Sequence, residues 1–575
     1  MRTKHFQSVT LLMLALCSAG VLLSSCDLNY FPQDEVTSEA LSQNYEGLCT
    51  MTDGNYSMLK DNMEYKGSSS TSYTFCRRGL EMAEFSSDEL IISGRTTSTI
   101  FQAYTYERDA SLQNVRYVWW CLYKCILGAN QVIEFIKEGE SDQMDYLKGE
   151  NLFLRAFCHL YLCNLYAWPY SYGRENPGVV IRTSTNTEET RRATVGEVYD
   201  QIVTDLQDAI RLMANGTRRG NNGYASREAA QALLTRVYLY MEENQKVIDL
   251  VGEMLGGASP ESKLMSTAEY PTYFANTLTA KETLWCIAYT TLDGGALGQS
   301  LYAGMLLSDP VTGLGWGEAY PSETQLDLFQ RYPQDLRYSS YVHPQYPADT
   351  TFYVARYAIK GADYRDARSN HIIKATANSD GSFSFVDADG NNVVAKPELV
   401  NTYKEYYATI GGEKTRVRIS RPMVTRNTFP AFYVSKFSYQ DGLPMLGSPS
   451  MIRWAEVLLN RAEAEAKLGQ DAAALSDVNV LRKRAGLSGD ALMTASNIAA
   501  RGYSSTLDVV LDERRLELAF EGFRTVDVYR NKRSLDRRYA GIHTWEEIDC
   551  HDTRILYPIP YDEISVSGIP QNEGY

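Results

Sequence analysis

Apolar residues recur every three or four positions in two widely separated stretches of the chain, the spacing that places them on one face of a helix. Over residues 113–137 they are Val115, Val118, Leu122, Ile126, Ala129, Ile133 and Ile136. Leu152, Ala156, Leu160, Cys163 and Ala167 continue the pattern until Pro169 stops it. A third helix is predicted over 194–213, opened by Thr194 and Glu197 in capping-box spacing. Residues 226–240 and 246–255 read as a helical hairpin. Far downstream, Ile452, Ala455, Leu459, Ala462 and Ala466 line one face of a helix whose other face carries Arg453, Glu456, Asn460, Glu463 and Lys467. Helices over 471–485 and 506–520 come next. Antiparallel pairs joined by short turns predict a mainly α tetratricopeptide-like body of about four helix pairs, although no clean 34-residue period can be traced.

Helical periodicity fails over residues 256–449, which are dense in Gly, Pro and Tyr. So long a stretch predicts a loop-rich insertion subdomain with a few short strands, packed on the helices. Residues 382–394 read as a hairpin through Asp389-Gly390. A shorter insertion spans 61–113. The expected divisions are therefore 1–25, 26–255, 256–449 and 450–575.

The first of these is an export signal: Arg2 and Lys4, an apolar run over 9–21, then Leu23-Ser24-Ser25-Cys26. The cysteine after Leu-Ser-Ser is a lipobox, so Cys26 is the expected acylation point. The apolar run falls short of the ~20 residues of a spanning helix, so a lipid anchor is expected. Net charge of −15 without a basic cluster argues against nucleic acid. The 41 tyrosines suit a wet binding surface, although Tyr is also an ordinary core residue. Beyond Cys17 and Cys26, the remaining cysteines lack metal-ligand spacing and read as buried thiols.

Both ends of the chain carry an ordered series of markers. Phe31-Pro32-Gln33-Asp34 follows Cys26; then come Trp120, Tyr123, Ile126 and Ala129-Asn130, and Gly149-Glu150 with Leu154-Arg155-Ala156 and Tyr161. The C-terminal part has Arg453, Ala455-Glu456-Val457, Leu459 and Arg461-Ala462-Glu463. Asp512-Glu513-Arg514, Glu517-Leu518, Glu521-Gly522, Arg524, Asp527 and Arg530 come next. Tyr557-Pro558-Ile559-Pro560, Gln571-Asn572 and Gly574-Tyr575 close the series. In this order the chain resembles the SusD/RagB-like family of outer-membrane nutrient-binding lipoproteins, over 26–255 and 450–575. The resemblance implies four tetratricopeptide-like units, a loop-rich ligand face and lipid anchoring at the cell surface. It also implies delivery of glycan, or of peptide in some branches, to a SusC-like TonB-dependent transporter.

No arranged nucleophile, base or metal set stands out, so no catalysis, metal or cofactor is expected. His543 and His551 flank Asp549, Cys550 and Asp552 at a spacing that matches no standard site, and a solvated loop is expected there. Asp387 to Asn392 lacks the glycine position and closing glutamate of a calcium loop. Glu513, Arg514, Glu517 and Arg524 read as scaffold, because Arg514 interrupts an apolar stripe and needs a carboxylate inside the body. A glycan site asks for exposed aromatic faces on loops. The candidates are Trp316 and Tyr320 among flanking glycines, Tyr289 and Tyr302 around a Gly-rich stretch, and Tyr73 with Arg95 from the shorter insertion. The alternatives are a peptide-binding member of the family and a tetratricopeptide-type protein scaffold.

Overall fold

The computed structural model describes residues 38–65, 73–186, 188, 190–296, 303–348, 350–360 and 368–575. Cys26 and Tyr302 lie outside them. Two units are present, Met1–Met51 and Thr52–Tyr575. The first contributes helix Ser38–Leu41 and the start of Tyr45–Ser57, and the second carries the helical body and the loops.

Eight helices form that body: α1 Gln113–Phe135, α2 Asp142–Tyr166, α3 Val195–Leu212, α4 Arg227–Tyr240, α5 Asn244–Leu255, α6 Trp454–Lys467, α7 Asp471–Arg484 and α8 Thr506–Glu517. Each of the first five packs on its successor; α4 and α5 then pack on α6, which packs on α7 and α8. Helices separated by some 200 residues of sequence thus share one core. The capping box is formed: Thr194 Oγ1 accepts from the Glu197 N–H at 3.2 Å and the Glu197 carboxylate accepts from the Thr194 N–H at 2.7 Å. Gly469, at φ +75°, turns the chain between α6 and α7 as a left-handed helix terminus requires.

The eight cysteines of the described residues are free thiols, all buried except the half-buried Cys49. Burial pushes the Cys121 and Cys163 thiols up to about 12, so they stay protonated and serve as small apolar groups.

The middle of the chain departs from expectation. A closed six-stranded barrel is formed by β1 Tyr353–Lys360, β2 Arg368–Ala377, β3 Phe383–Val386, β4 Asn392–Val400, β5 Tyr403–Ile410 and β6 Glu413–Ser420. Every strand pairs antiparallel with its neighbours in sequence, and β6 closes on β1 through Arg418↔Arg356. The anticipated hairpin is β3–β4, with Asp387 Oδ1 accepting the N–H groups of Asp389 and Asn391 in its turn. Inside sit Ala355, Tyr357, Ala375, Phe385, Val393, Ala395, Ala408, Ile410 and Val417, a core separate from that of the helices. Small and large residues alternate there because the interior of so narrow a barrel admits few large rings. Arg416 and Arg418 on β6 tie the barrel to Asp327, the second at 2.7 Å, on helix Glu323–Phe329.

A buried ionic network joins the loops to the C-terminal helices. Strand Ser450–Arg453 pairs with Thr283–Cys286, and Arg453, 1% exposed, reaches Glu517 at 2.6 Å, Glu521 at 2.8 Å and Glu282 at 3.2 Å. Arg484 shares Glu517 and Glu282; Arg337 and Arg482 share Glu513; Lys436 bonds to Glu521 at 2.7 Å. Arg514 has the internal carboxylate its place in the stripe demanded, Asp527 at 2.8 Å, with the Asn460 side-chain oxygen also at 2.8 Å. Arg524 pairs with Asp88 at 2.7 Å. These side chains are scaffold, as their sequence pattern implied.

Burial alone would raise the Glu517 carboxyl, but Arg484, Arg453 and Arg337 outweigh it and hold the group well below the usual range. Its contribution to stability is therefore complete above the unfolded value of about 4.3 and is lost as pH falls below it. Glu517→Gln should cost about 3–5 kcal/mol at neutral pH by leaving two or three guanidinium groups without their shared anion. Urea unfolding should show that loss at pH 7 and a smaller gap from the parent near pH 3; an unchanged midpoint at pH 7 would disprove the assigned role.

Candidate functional site

Strand Leu90–Ile92 pairs with Ala319–Pro321 in the register Ile92↔Ala319. That antiparallel ribbon sends two loops from the same end: the one after Ile92, which carries Arg95, and the one before Ala319, which carries Trp316. Ser93 N–H donates to Glu318 O at 2.8 Å and fixes the two loops to each other. The hairpin Thr425–Arg426/Phe429–Pro430 joins them, with the Asn427 amide donating to Ser93 O at 3.0 Å.

Glycine geometry shapes the Trp316 loop. Gly313, Gly315 and Gly317 all have positive φ, and a Cβ on Gly315 would stand 2.2 Å from Leu307 O. The turn before them is held by Asp309, whose carboxylate accepts from Thr312 and, at 2.7 Å, from the Tyr439 hydroxyl. Those bonds, Thr312 foremost, hold its carboxyl down to about 2, so it is an ionised acceptor at any ordinary pH. Trp316 is left 40% exposed, alongside Leu314 at 48% and Val311 at 89%. The Arg77 guanidinium lies 4.9 Å from the Trp316 ring centroid. Arg426 donates to Trp316 O at 2.9 Å and pairs with Glu318 at 2.8 Å, so an ion pair and an indole sit side by side at the surface.

Of the sequence candidates among the described residues, Trp316 and Arg95 present exposed side chains here. Tyr320 belongs to the same ribbon but is buried. Tyr289 is buried with its hydroxyl donating to Lys60 O at 2.9 Å, and Tyr73 is buried in a stack on Tyr117. These three rings are core, because each finds an apolar neighbour and offers no free face. Sequence reasoning missed Arg77 and Arg426, whose relation to Trp316 depends on how distant segments meet, and did not single out Glu318 and Asp309, which lie in the same loop.

Among the described residues the histidines do not assemble. Burial holds His159 down to about 3, with Nδ1 against Arg155 O and Nε2 accepting from Arg182 N–H. His543 is buried against Tyr104 and Tyr539. Asp549, Cys550 and His551 do converge, but Cys550 Sγ and Asp549 Oδ1 both approach the same imidazole nitrogen, Nδ1, at 3.3 Å. A nucleophile–base–orienter relay needs the two partners on opposite nitrogens, so this cluster is not one.

A helical body and a small barrel carry loops that hold an exposed indole beside an ion pair. Residues 77–239 match a family described as starch-binding and associating with the outer membrane, and residues 281–575 match the SusD family. The chain belongs to the SusD family. It is 26% identical over 476 residues to SusD-like protein P2 of Formosa agariphila, covering 80% of each chain. A SusD superfamily protein of Bacteroides thetaiotaomicron VPI-5482 has a similar fold, with a TM-score of 0.66 at 24% identity over 92% of this chain and 99% of the other. A laminarin-binding SusD-like protein aligns with a TM-score of 0.59 at 18% identity over 92% and 100%.

Because Gly315 sits in the left-handed region against Leu307 O, Gly315→Ala should cost on the order of 1–2 kcal/mol locally and loosen the loop. Hydrogen exchange over residues 303–318 should quicken while that of α1 to α8 stays the same. Unchanged exchange in the loop would mean that Gly315 does not set its shape.

Proposed function

We propose that this protein captures glycan at the Trp316 surface and delivers it to a SusC-like TonB-dependent transporter, from an outer-membrane position set by a lipid on Cys26. The observation that carries the reading is Trp316 itself: a half-exposed indole on a glycine-built turn, with Arg77 at the ring and the Arg426–Glu318 pair beside it. A pyranose can lay its C–H face on the ring while its hydroxyls meet the guanidinium and carboxylate groups. Support comes from the starch-binding description of the matching family and from the fold shared with a laminarin-binding protein. Among the described residues no helix is long and apolar enough to cross a membrane, which fits attachment through acyl chains. We read the successive helix pairs as tetratricopeptide-like units whose task is to hold the loops. Nothing in this reading requires catalysis.

One observation favours a second reading. Val311 and Leu314 stand exposed next to Trp316, and apolar side chains there suit a peptide ligand. Titrating the purified mature protein against a polysaccharide panel and a peptide pool separates the two. Trp316→Ala should weaken glycan binding by ~1–3 kcal/mol with little change in melting temperature. Binding to peptides alone would replace the glycan assignment, and full affinity in the variant would remove Trp316 from the site.

A further inference from the structure

Helix α1 carries a second aromatic surface that shares no residue with the Trp316 loop. A cavity of about 590 Å³ opens between α1, residues 180–184 and helix Tyr561–Ser567, a size within the ~300–1,000 Å³ of small-ligand sites. Its rings come in two tilted pairs: Tyr65 with Trp120, centroids 5.1 Å apart, and Trp119 with Tyr123, 5.0 Å apart. The walls are fixed. Tyr123 donates its hydroxyl to Val180 O at 2.7 Å, Asn130 donates to the Arg182 and Ser184 carbonyls, and the Trp119 indole N–H reaches Glu563 at 3.2 Å.

Charge in the cavity is not balanced. Arg116 is neutralised by Asp562 at 2.6 Å, whereas neither Lys124 nor Arg182 forms an ion pair among the described residues. Arg182 Nη1 is buried and has no hydrogen-bond acceptor, an unfavourable state for a guanidinium N–H. Lys124 Nζ lies 4.9 Å from the Trp120 ring centroid. Glu563 also lines the cavity, its carboxylate held by the Trp119 indole N–H and the Ser567 hydroxyl, so three cations face two carboxylates and leave a net positive patch beside four aromatic rings, on a chain of net charge −15.

We propose that this cavity binds an acidic sugar unit, a uronate within a glycan chain. The C–H face of the ring stacks on Trp120 and Tyr123, and the carboxylate takes the free Arg182 N–H and the Lys124 ammonium. The proposal rests on the glycan-capture reading and adds to it a second site and a ligand class.

The test compares a trisaccharide of galacturonic acid with the neutral galactose trisaccharide by calorimetry, on the mature protein and three variants. The parent should bind the acidic form about tenfold more tightly, an advantage that shrinks as salt is raised. Arg182→Gln and Lys124→Gln should erase the advantage, and Lys124, being exposed, can be changed without threat to folding. Trp316→Ala should leave it intact. Equal affinity for the two trisaccharides, or an advantage that survives both cation variants, overturns the proposal. Loss of the advantage in Trp316→Ala would place the acidic sugar on the loop, which also overturns it while leaving glycan capture standing. If the polysaccharide panel as well as both trisaccharides fails to bind, the glycan reading itself falls.

Discussion

The arrangement depends above all on carboxylates shared between guanidinium groups in the interior. Glu517 alone serves Arg453 and Arg484 and lies 3.6 Å from Arg337, and those three arginines come from a strand, a long helix and the short helix Leu336–Ser339, in different parts of the chain. Buried charges of this kind gain little over an apolar core, but breaking one set leaves expensive unpaired charge. Their effect is therefore to make one assembly far better than its neighbours. A loop that slid by one residue would strand Glu282, Asp335 or Lys436 away from its partner.

That constraint explains how a long, glycine-rich middle region can hold Trp316 and its polar neighbours in a fixed geometry. Ions hold Glu282 to Arg453 on the strand before α6 and to Arg484 of α7, and Arg337 to Glu513 of α8, while the barrel hangs on its own small core and on Arg416 and Arg418. The Trp316 loop lies between these anchored points. Its shape is then decided by three glycines and the Asp309 turn, between Met305 and Leu306 on one side and Ala319 and Tyr320 on the other, which are buried in the main core.

What the sequence disclosed depends on the range over which each signal acts. The Thr194–Glu197 cap, the Asp389-Gly390 turn and the α6 stripe are local, and each could be read directly. Arg514 was legible because a charge within an apolar stripe has to be answered from inside. The barrel was hidden because Ala355, Ala375, Ala395 and Ala408 point inward where a strand pattern is normally sought in large residues. Trp120 and Tyr123 were visible only as helix markers. Their role in a cavity wall needs residues 180–184 and 562–563, and no local pattern links those to α1.

Tyrosine was the least faithful guide, for a physical reason. A protein with long loops has many carbonyl groups outside regular ladders, and each needs a donor if it is buried. Tyrosine supplies one from a ring that also packs as a hydrocarbon. Tyr117 donates to Tyr73 O, Tyr123 to Val180 O, Tyr166 to Val115 O, Tyr172 to Cys550 O and Tyr289 to Lys60 O. These hydroxyls act as struts between helices and loops, so much of the tyrosine excess reports how the loops are braced. An indole N–H can serve in the same way, as Trp285 does to Gly223 O at 3.1 Å, but when an indole such as Trp316 is left exposed the fold has gained little from placing it there. Exposure of that residue type is accordingly the sounder sign of a surface shaped for something outside the chain.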